Sequence, residues 1–138
     1  MRFLLDTNIV SELRKASADA GVASWASRQS TSDLAISVVT VVEIEIGILR
    51  RARTDPLQAE RLRTWLDSSL LTGFAGRILP IDLATARLVA PLHVPDTAPA
   101  HDALIAATAL ARGLTVVTRN VRDFERTGVE LVNPWSAA

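Results

Sequence analysis

The chain has 138 residues, of which 49% are apolar and 22% charged, and its 15 basic side chains balance its 15 acidic ones. This size and composition predict one globular domain spanning residues 1–138 and argue against disorder. The lack of cysteine excludes disulfides and thiolate metal sites, which leaves oxygen ligands or the two histidines for any metal. A net charge of zero also excludes the overall basic surface that many nucleic-acid binders carry.

The sequence shows no targeting or membrane-spanning segment. The first residues lack a basic stretch followed by a long apolar one, and no window approaches 18 uninterrupted apolar residues. We therefore expect a cytoplasmic protein with no membrane contact. The basic residues are arginines apart from Lys15, and two groups of them are close in sequence: Arg50, Arg51 and Arg53, and Arg112, Arg119, Arg122 and Arg126. Solvated helix faces explain such groups as well as phosphate binding does.

In the first half of the chain, the apolar run Phe3–Leu5 ends directly on Asp6, the pattern of a short parallel strand buried on both faces. Apolar residues at helical spacing and a second apolar run predict the elements that follow. These are helices at 7–14 and 18–28, a strand at 33–38, a helix at about 40–53 and a helix from Pro56 that ends near Gly73 and Gly76. Thr40 and Glu43 match a capping box, which predicts that the third helix begins at Thr40.

The second half continues the alternation of strands and helices. The predicted elements are a strand at 77–81, a helix at 82–92, a loop containing Pro91, Pro95 and Pro99, a helix at 99–112, a strand at 115–118, a turn or short helix at 120–124 and a strand at 130–132. Gly113 is expected to cap the helix before it. Strands that alternate with helices across short loops predict an α/β sandwich around a parallel sheet.

Acidic and amide side chains follow these predicted strands. Asp6 comes directly after the first strand, Glu43 about one helical turn after the second, Asp102 in the first turn of its helix, and Asn120 and Asp123 after the fourth strand. In open parallel sheets, ligands bind beyond the carboxyl ends of the strands, so we expect these side chains to converge. Close carboxylates repel unless they share a proton or a cation, and oxygen ligands suit Mg²⁺ or Mn²⁺. Metal-assisted hydrolysis of a phosphodiester is the resulting hypothesis.

Each of these residues also has a purely structural interpretation. Asp6 can cap the helix that follows it, Glu43 can complete the capping box, and Asp102 can interact with the helix dipole. Asn120 and Asp123 suit a turn with its own cap. The coincidence of acids at the same edge of one sheet favours a site over capping alone. Neither histidine is assigned a catalytic role.

Four segments of the chain resemble the PIN-domain ribonucleases in order and spacing. They are LLDTN at residues 4–8, SVVTVVEIEIG with Glu43, HDALIAATAL with Asp102, and VVTRNVRDF with Asn120 and Asp123, followed by NPW. The likeness is greatest to the VapC toxins of type II toxin–antitoxin pairs, in their FitB-like branch. It implies a PIN-like α/β/α sandwich whose parallel sheet of about five strands is flanked by helices. It also implies Mg²⁺- or Mn²⁺-dependent endonucleolytic cleavage of RNA, an antitoxin partner and a homodimer or a larger toxin–antitoxin assembly.

The resemblance implies individual site residues as well. Asp6 and Asp102 would be the metal ligands, and Glu43 and Asp123 would complete the acidic catalytic group. FitB-like members have an Asp directly after the dipeptide TR, and here that position is Asn120, so either Asn120 or Asp123 fills the fourth position. The remaining residues implied are the supporting polar residues Thr7, Asn8, Thr118 and Asn120 and the phosphate-binding Arg119 and Arg122.

Two other functions fit parts of the sequence. An aspartyl phosphotransfer domain also carries an Asp after its first parallel strand, but it uses a lysine after a late strand, whereas Lys15 lies early in this chain. A PIN-like module that binds RNA or protein without efficient cleavage is compatible with the charge missing at Asn120. The chain has no G-x-G-x-x-G motif and no Walker loop, which argues against a dinucleotide or nucleoside triphosphate site.

Overall fold

A computed structural model of the protein describes residues 1–135, which contain a sheet of five short parallel strands. The strands are β1 (Phe3–Leu5), β2 (Leu34–Ser37), β3 (Ile78–Leu79), β4 (Thr115–Val117) and β5 (Leu131–Val132). Their order across the sheet is β3-β2-β1-β4-β5, so β1 lies in the centre. The predicted α/β fold with a parallel sheet of about five strands is confirmed.

Helices connect the strands. They are α1 (Thr7–Arg14), α2 (Ala20–Ser27), α3 (Val38–Ala52), α4 (Pro56–Trp65), α5 (Leu71–Gly73), α6 (Leu83–Leu92), α7 (Ala100–Arg112) and α8 (Val121–Phe124). A π-helical turn, Leu66–Leu70, joins α4 to α5, and Pro91 lies within the last turn of α6 and not in the loop where it was predicted. As predicted, α7 ends at Gly113, whose φ of 65° is the left-handed conformation of a helix cap. No helix within residues 1–135 combines the length and apolar character needed to cross a membrane.

The start of α3 differs from the prediction. The helix begins at Val38, and Ser37, the last residue of β2, is its N-cap. The Ser37 hydroxyl accepts a hydrogen bond from the backbone N–H of Val39 at 3.0 Å. Thr40 and Glu43 therefore lie inside the helix, and their interpretation as a capping box is wrong. Their side chains are available for contacts with other elements.

Alternate residues of β1 contribute to two cores on opposite faces of the sheet, as the two-residue period of a strand requires. Phe3 and Leu5 pack in a core with side chains of α1, α2, α3 and α4. Leu4 packs on the other face with α7, whose residues 105–109 are all buried. Helices on both faces of the sheet explain why β1 is apolar throughout, and they leave the ends of the strands as the place where polar groups can gather.

Replacing a β1 residue should show how much the sheet depends on this burial. Leu4 is 0% exposed, so Leu4→Ala removes buried methyl groups and leaves a cavity, and we expect it to lower the free energy of unfolding by about 2–5 kcal/mol. Leu83 is 77% exposed and serves as the matched control. Leu83→Ala should change the free energy of unfolding by less than about 0.5 kcal/mol. Urea denaturation followed by circular dichroism measures both. Equal effects would contradict a two-sided core around β1.

Candidate functional site

The carboxylate of Asp6 is buried at the end of the central strand, with the residue only 4% exposed. Leu5 of β1 pairs in register with Val117 of β4, so the next residues, Asp6 and Thr118, are neighbours. The Thr118 hydroxyl donates a hydrogen bond to Asp6 Oδ2 at 2.8 Å and accepts one from the backbone N–H of Asn120 at 2.9 Å. Pairing of the two strands therefore sets the position of the carboxylate.

The first turn of α1 holds Asp6 from the other side. The backbone N–H of Thr7 donates to Asp6 Oδ1 at 2.8 Å, and Asn8 Nδ2 lies 3.4 Å from Asp6 Oδ2 and 3.3 Å from Thr118 Oγ1. The Asn8 side-chain carbonyl accepts from the backbone N–H of Arg119 at 3.4 Å. Asp6 thus has the N-cap position that its structural interpretation predicted, and it also lies among the polar side chains expected to support a site.

Glu43 points toward the same end of the sheet. The Thr7 hydroxyl donates to Glu43 Oε1 at 2.6 Å, and His101 Nδ1 lies 3.3 Å from Glu43 Oε2. Glu45, two residues further on, instead forms an ion pair with Arg63 at 2.8 Å. The two glutamates of α3 therefore face different surroundings, because residues two apart do not share a helix face.

Asp102 lies half-buried in the first turn of α7, close enough to the other acids to respond to their charges. Burial raises the pKa of Asp102 to about 6, the negative charges of Asp6, Asp123 and Glu43 add to the increase, and His101 opposes it. Burial also raises the pKa of Asp6, and Glu43 and Asp123 raise it further, although hydrogen bonds from neighbouring groups lower it. These four carboxylates form one electrostatic group.

Asn120 and Asp123 differ in what the structure shows for them. Asn120 is exposed and occupies the N-cap position of α8, but its side chain makes no capping hydrogen bond. Asp123 is also exposed, and its charge acts on both Asp6 and Asp102. The carboxylate that contributes negative charge at this corner is therefore that of Asp123.

The two arginines predicted to bind phosphates lie in different environments. The Arg119 guanidinium stacks 5.2 Å above the ring of Trp135. Arg122 lines a pocket of about 270 Å³ beside Asp123 and Arg126. Both arginines are exposed, so their charges remain accessible from solvent.

The acids fit a divalent cation that keeps part of its water shell. Within residues 1–135, no group of three or more His, Asp or Glu side chains is arranged to hold an ion unaided. Mg²⁺ commonly binds through one or two carboxylates and several waters, so such a cage is not required. Burial raises the pKa of Asp6 and Asp102 most, and the repulsion among the acids that adds to it is what a bound cation would relieve.

His101 is the neighbour of the acids that sequence reasoning missed. Its ring contacts Glu43, and its charge when protonated acts on Asp102. The available signal was its place immediately before Asp102 at the start of the same helix, which puts both residues at the same end of α7. A lone histidine on a helix gives no further indication of its partner.

Comparisons with known proteins agree with one another. A family model described as PIN domain matches residues 3–130. The VapC ribonuclease Y4jK of Sinorhizobium fredii is 36% identical, over 98% of this chain and 99% of its own. Toxin FitB of Neisseria gonorrhoeae is 36% identical, over 96% of this chain and 97% of its own. The crystal structure of FitAcB from Neisseria gonorrhoeae superposes with a TM-score of 0.88 at 33% identity, covering 97% of this chain and 99% of that one. A toxin–antitoxin complex from Klebsiella pneumoniae superposes with a TM-score of 0.68 at 28% identity, covering 96% and 97%.

The raised pKa of Asp102 predicts that its charge destabilises the folded protein at neutral pH. The folded-state value of about 6 exceeds the ordinary value of 3.8, so the stability that this group contributes is present below pH 3.8 and is lost as the pH rises through about 6. Asp102→Asn removes that loss, and we expect it to raise the melting temperature at pH 7.5 by about 4 °C, with little change at pH 4.

Differential scanning fluorimetry in EDTA measures this shift, because EDTA removes any cation that would offset the repulsion. Asp67→Asn is the matched control, since Asp67 is an exposed carboxylate that does not belong to the electrostatic group of four carboxylates. A melting temperature for Asp102→Asn that is unchanged or lower at pH 7.5 would show that burial and the neighbouring acids do not disfavour the charge of Asp102 as described.

Proposed function

Because the chain belongs to the PIN domain family, we propose that it is a divalent-metal-dependent endoribonuclease that acts as the toxin of a toxin–antitoxin pair. The observation that carries the proposal is the electrostatic group of Asp6, Glu43, Asp102 and Asp123, which lie far apart in sequence. The names of two relatives, a VapC ribonuclease and a toxin, support the reaction and the role. A cluster of carboxylates at one end of a parallel sheet supports metal-assisted chemistry.

Asp6 and Asp102 are the proposed metal ligands. When bound, Mg²⁺ or Mn²⁺ supplies Lewis acidity toward the scissile phosphate and lowers the pKa of a water. The backbone N–H of Thr7 occupies one acceptor position on Asp6 Oδ1, which keeps a further lone pair for an ion, whereas Oδ2 accepts from both Thr118 and Asn8. Asn8, beside Asp6 and Thr118, helps to fix the carboxylate in one orientation.

Glu43 is the proposed acceptor of the proton from the attacking water. Thr7 holds one of its oxygens and His101 lies beside the other, so the carboxylate is oriented while part of it remains exposed. Water as the attacking group gives products with a 5′-phosphate and a 3′-hydroxyl, because the ribose 2′-hydroxyl takes no part. Asp123 supplies the fourth charge of the group, and Asn120 can bind water through its side-chain carbonyl.

Substrate binding requires positive charge around the acids. Arg119 and Arg122, both exposed and close in sequence to Asn120, are proposed to contact phosphates that flank the scissile bond. The stacking of Arg119 on Trp135 limits the motion of its guanidinium and so lowers the entropy lost on binding.

The alternative functions are less well supported. An aspartyl phosphotransfer site needs a lysine beside the acids, whereas Lys15 forms an ion pair with Glu12 at 3.0 Å. A PIN-like module without efficient catalysis stays as the second candidate, because Asn120 lacks a charge and no group of three ligands is preformed within residues 1–135. Calorimetric titration with Mn²⁺ separates the two, since a catalytic site binds the ion and a degenerate site does not.

We also propose that a protein antitoxin inhibits this chain. The similarity of this chain to a toxin–antitoxin complex from Klebsiella pneumoniae and to the toxin FitB supports such a partner. A largely apolar groove of about 340 Å³ between α1 and the α4–α5 segment, lined by Leu13, Trp65 and Phe74 among others, fits an apolar segment of that partner. Val42 and Leu49, seven residues apart on α3 and both exposed, support association into a homodimer or a larger assembly.

Substitution of Glu43 in α3 and Asp102 in α7 tests the site, and Glu45 of α3 offers a closely matched control. Glu43→Gln and Asp102→Asn keep side-chain size but remove a charge of the acid group, so we expect each to lower the rate of RNA cleavage by on the order of 100-fold or more. Glu45→Gln removes a charge from the same helix but from the ion pair with Arg63, and should leave the rate within about twofold.

Cleavage is measured on total RNA in Mg²⁺ and in EDTA, and the cut ends are sequenced. Wild-type cleavage should require Mg²⁺ and leave 5′-phosphate ends. Cleavage that survives EDTA, or equal rates for Glu43→Gln and Glu45→Gln, would remove the proposed site.

The toxin role predicts an effect on growth. Induced expression of the wild-type chain in a bacterial host should slow growth, and Asp102→Asn should not, although both proteins accumulate equally on an immunoblot. Co-expression of the cognate antitoxin should restore growth. Equal slowing by wild type and Asp102→Asn would show that toxicity does not depend on cleavage.

A further inference from the structure

A second groove begins at the acids and runs away from them along α3. It has a volume of about 260 Å³, and Thr7 and Glu43 form part of its wall. Three cationic side chains also line it: Arg14 and Lys15 at the end of α1, of which Lys15 is paired with Glu12, and Arg51 near the end of α3. The groove therefore joins the negative end of the sheet to a positive surface.

Residues on one face of α3 set the course of this groove. Glu43, Gly47 and Arg51 are four residues apart, so they lie above one another on the same face, and all three line the groove. At a rise of 1.5 Å per residue, the eight residues from Glu43 to Arg51 span about 12 Å. The acid of the site and the arginine are thus separated by two turns of helix with a glycine between them.

Gly47 is an unusual choice for this position. Glycine inside a helix costs about 1 kcal/mol relative to alanine, and an exposed position gives no obvious compensation. A Cβ at Gly47 would meet no atom within 4 Å, so packing within the described chain does not require glycine here. The missing side chain has one local consequence, which is a wider groove between Glu43 and Arg51.

The groove also has the chemistry of a single-stranded nucleic acid site. Arg51 is exposed, and its guanidinium takes part in none of the hydrogen bonds or ion pairs found within residues 1–135. Arg14 lies 5.9 Å from the ring of Trp65, which is partly exposed and lines the same groove. Cations that follow a backbone and an aromatic ring on which a base can stack are the two elements by which proteins bind single strands.

We propose that this groove binds the RNA strand on one side of the scissile phosphate, with Arg14, Lys15 and Arg51 against its backbone and the gap at Gly47 as the passage for the strand. The inference rests on the proposed function, because it takes RNA as the substrate of the acids at the end of the groove. An apolar protein segment is a poorer occupant here, since the groove of Leu13 and Phe74 offers such a segment a more apolar surface.

Contacts with the backbone carry little sequence information. The groove should therefore contribute to affinity and to the salt dependence of binding, while the choice of cleavage site stays with other residues. This separates its role from that of the acids, whose loss is expected to lower the rate of cleavage itself.

Arg51→Ala and Arg50→Ala form the first test, because both remove an exposed arginine from the same helix and only Arg51 lines the groove. The probe is a 12-nucleotide oligouridylate with a fluorescent end, and its anisotropy is measured in EDTA so that no cleavage occurs. We expect Arg51→Ala to weaken binding about two- to fivefold. It should also reduce the slope of log affinity against log salt by about 0.7, the value for one phosphate contact on a single strand. Arg50→Ala should change neither.

Gly47→Gln and Gly47→Ala form the second test. Glutamine fills the passage, and we expect it to weaken binding of the oligouridylate at least as much as Arg51→Ala. Alanine adds one methyl group and removes the helix penalty of glycine, so Gly47→Ala should raise the melting temperature and weaken binding less than Gly47→Gln does. Melting curves of all variants show whether a loss of binding reflects a loss of folding.

The outcomes separate this inference from the proposed function. If wild type binds Mn²⁺ and cleaves RNA in Mg²⁺ but Arg51→Ala and Arg50→Ala bind the oligouridylate alike, the groove inference is wrong and the nuclease stands. If wild type binds the oligouridylate through Arg51 but neither binds Mn²⁺ nor cleaves RNA, the groove stands and the catalytic proposal fails. If Arg51→Ala weakens antitoxin binding without affecting RNA, the groove is a protein site and the inference is overturned.

Discussion

The parallel pairing of β1 with β4 is the constraint on which the rest of the site depends. It places Asp6 beside Thr118 at the carboxyl end of the central strand, where Asp6 is 4% exposed. Burial of a charge costs free energy unless hydrogen bonds replace its water. Thr118, the backbone of Thr7 and the amide of Asn8 supply those bonds, so the same contacts that permit burial also orient the carboxylate. A shift of one residue in the strand register would turn every side chain of β1 to the opposite face and separate these partners.

A continuous series of contacts then connects the acids of three different elements. Thr7 binds Asp6 through its backbone and Glu43 through its hydroxyl, so one residue of α1 holds both. Glu43 in turn contacts His101, the residue before Asp102 in α7. Because each member has a partner on another element, the geometry at the end of the sheet depends on the packing of the helices on both faces. The core and the site are in this sense one structure.

The amino-acid pattern predicts much of this arrangement, and its limits have physical causes. The parallel sheet, the end of α7 at Gly113 and the presence of acids after strands follow from apolar runs, a glycine and strand ends. The start of α3 was missed because Ser37 and Thr40 are both good N-caps, and only the chain direction out of β2 selects Ser37. The contact between His101 and Glu43 joins residues far apart in sequence, and spacing within one helix carries no information about it. The side chain of Asn120 carries no charge, so the negative charge at the start of α8 is that of Asp123.

A net charge of zero conceals two local fields of opposite sign that the fold brings side by side. Burial raises the pKa of Asp102 and the charges of the other acids raise it further, and these charges would also repel the phosphates of an RNA strand. A cation bound among them reverses that repulsion locally, but only at the phosphate that it contacts. The neighbouring phosphates need a separate source of attraction, and the arginine-lined groove that begins at Glu43 supplies positive charge about two helical turns away. Separation of the two charges along α3 would let affinity for the strand and the chemistry at one phosphate be set by different residues.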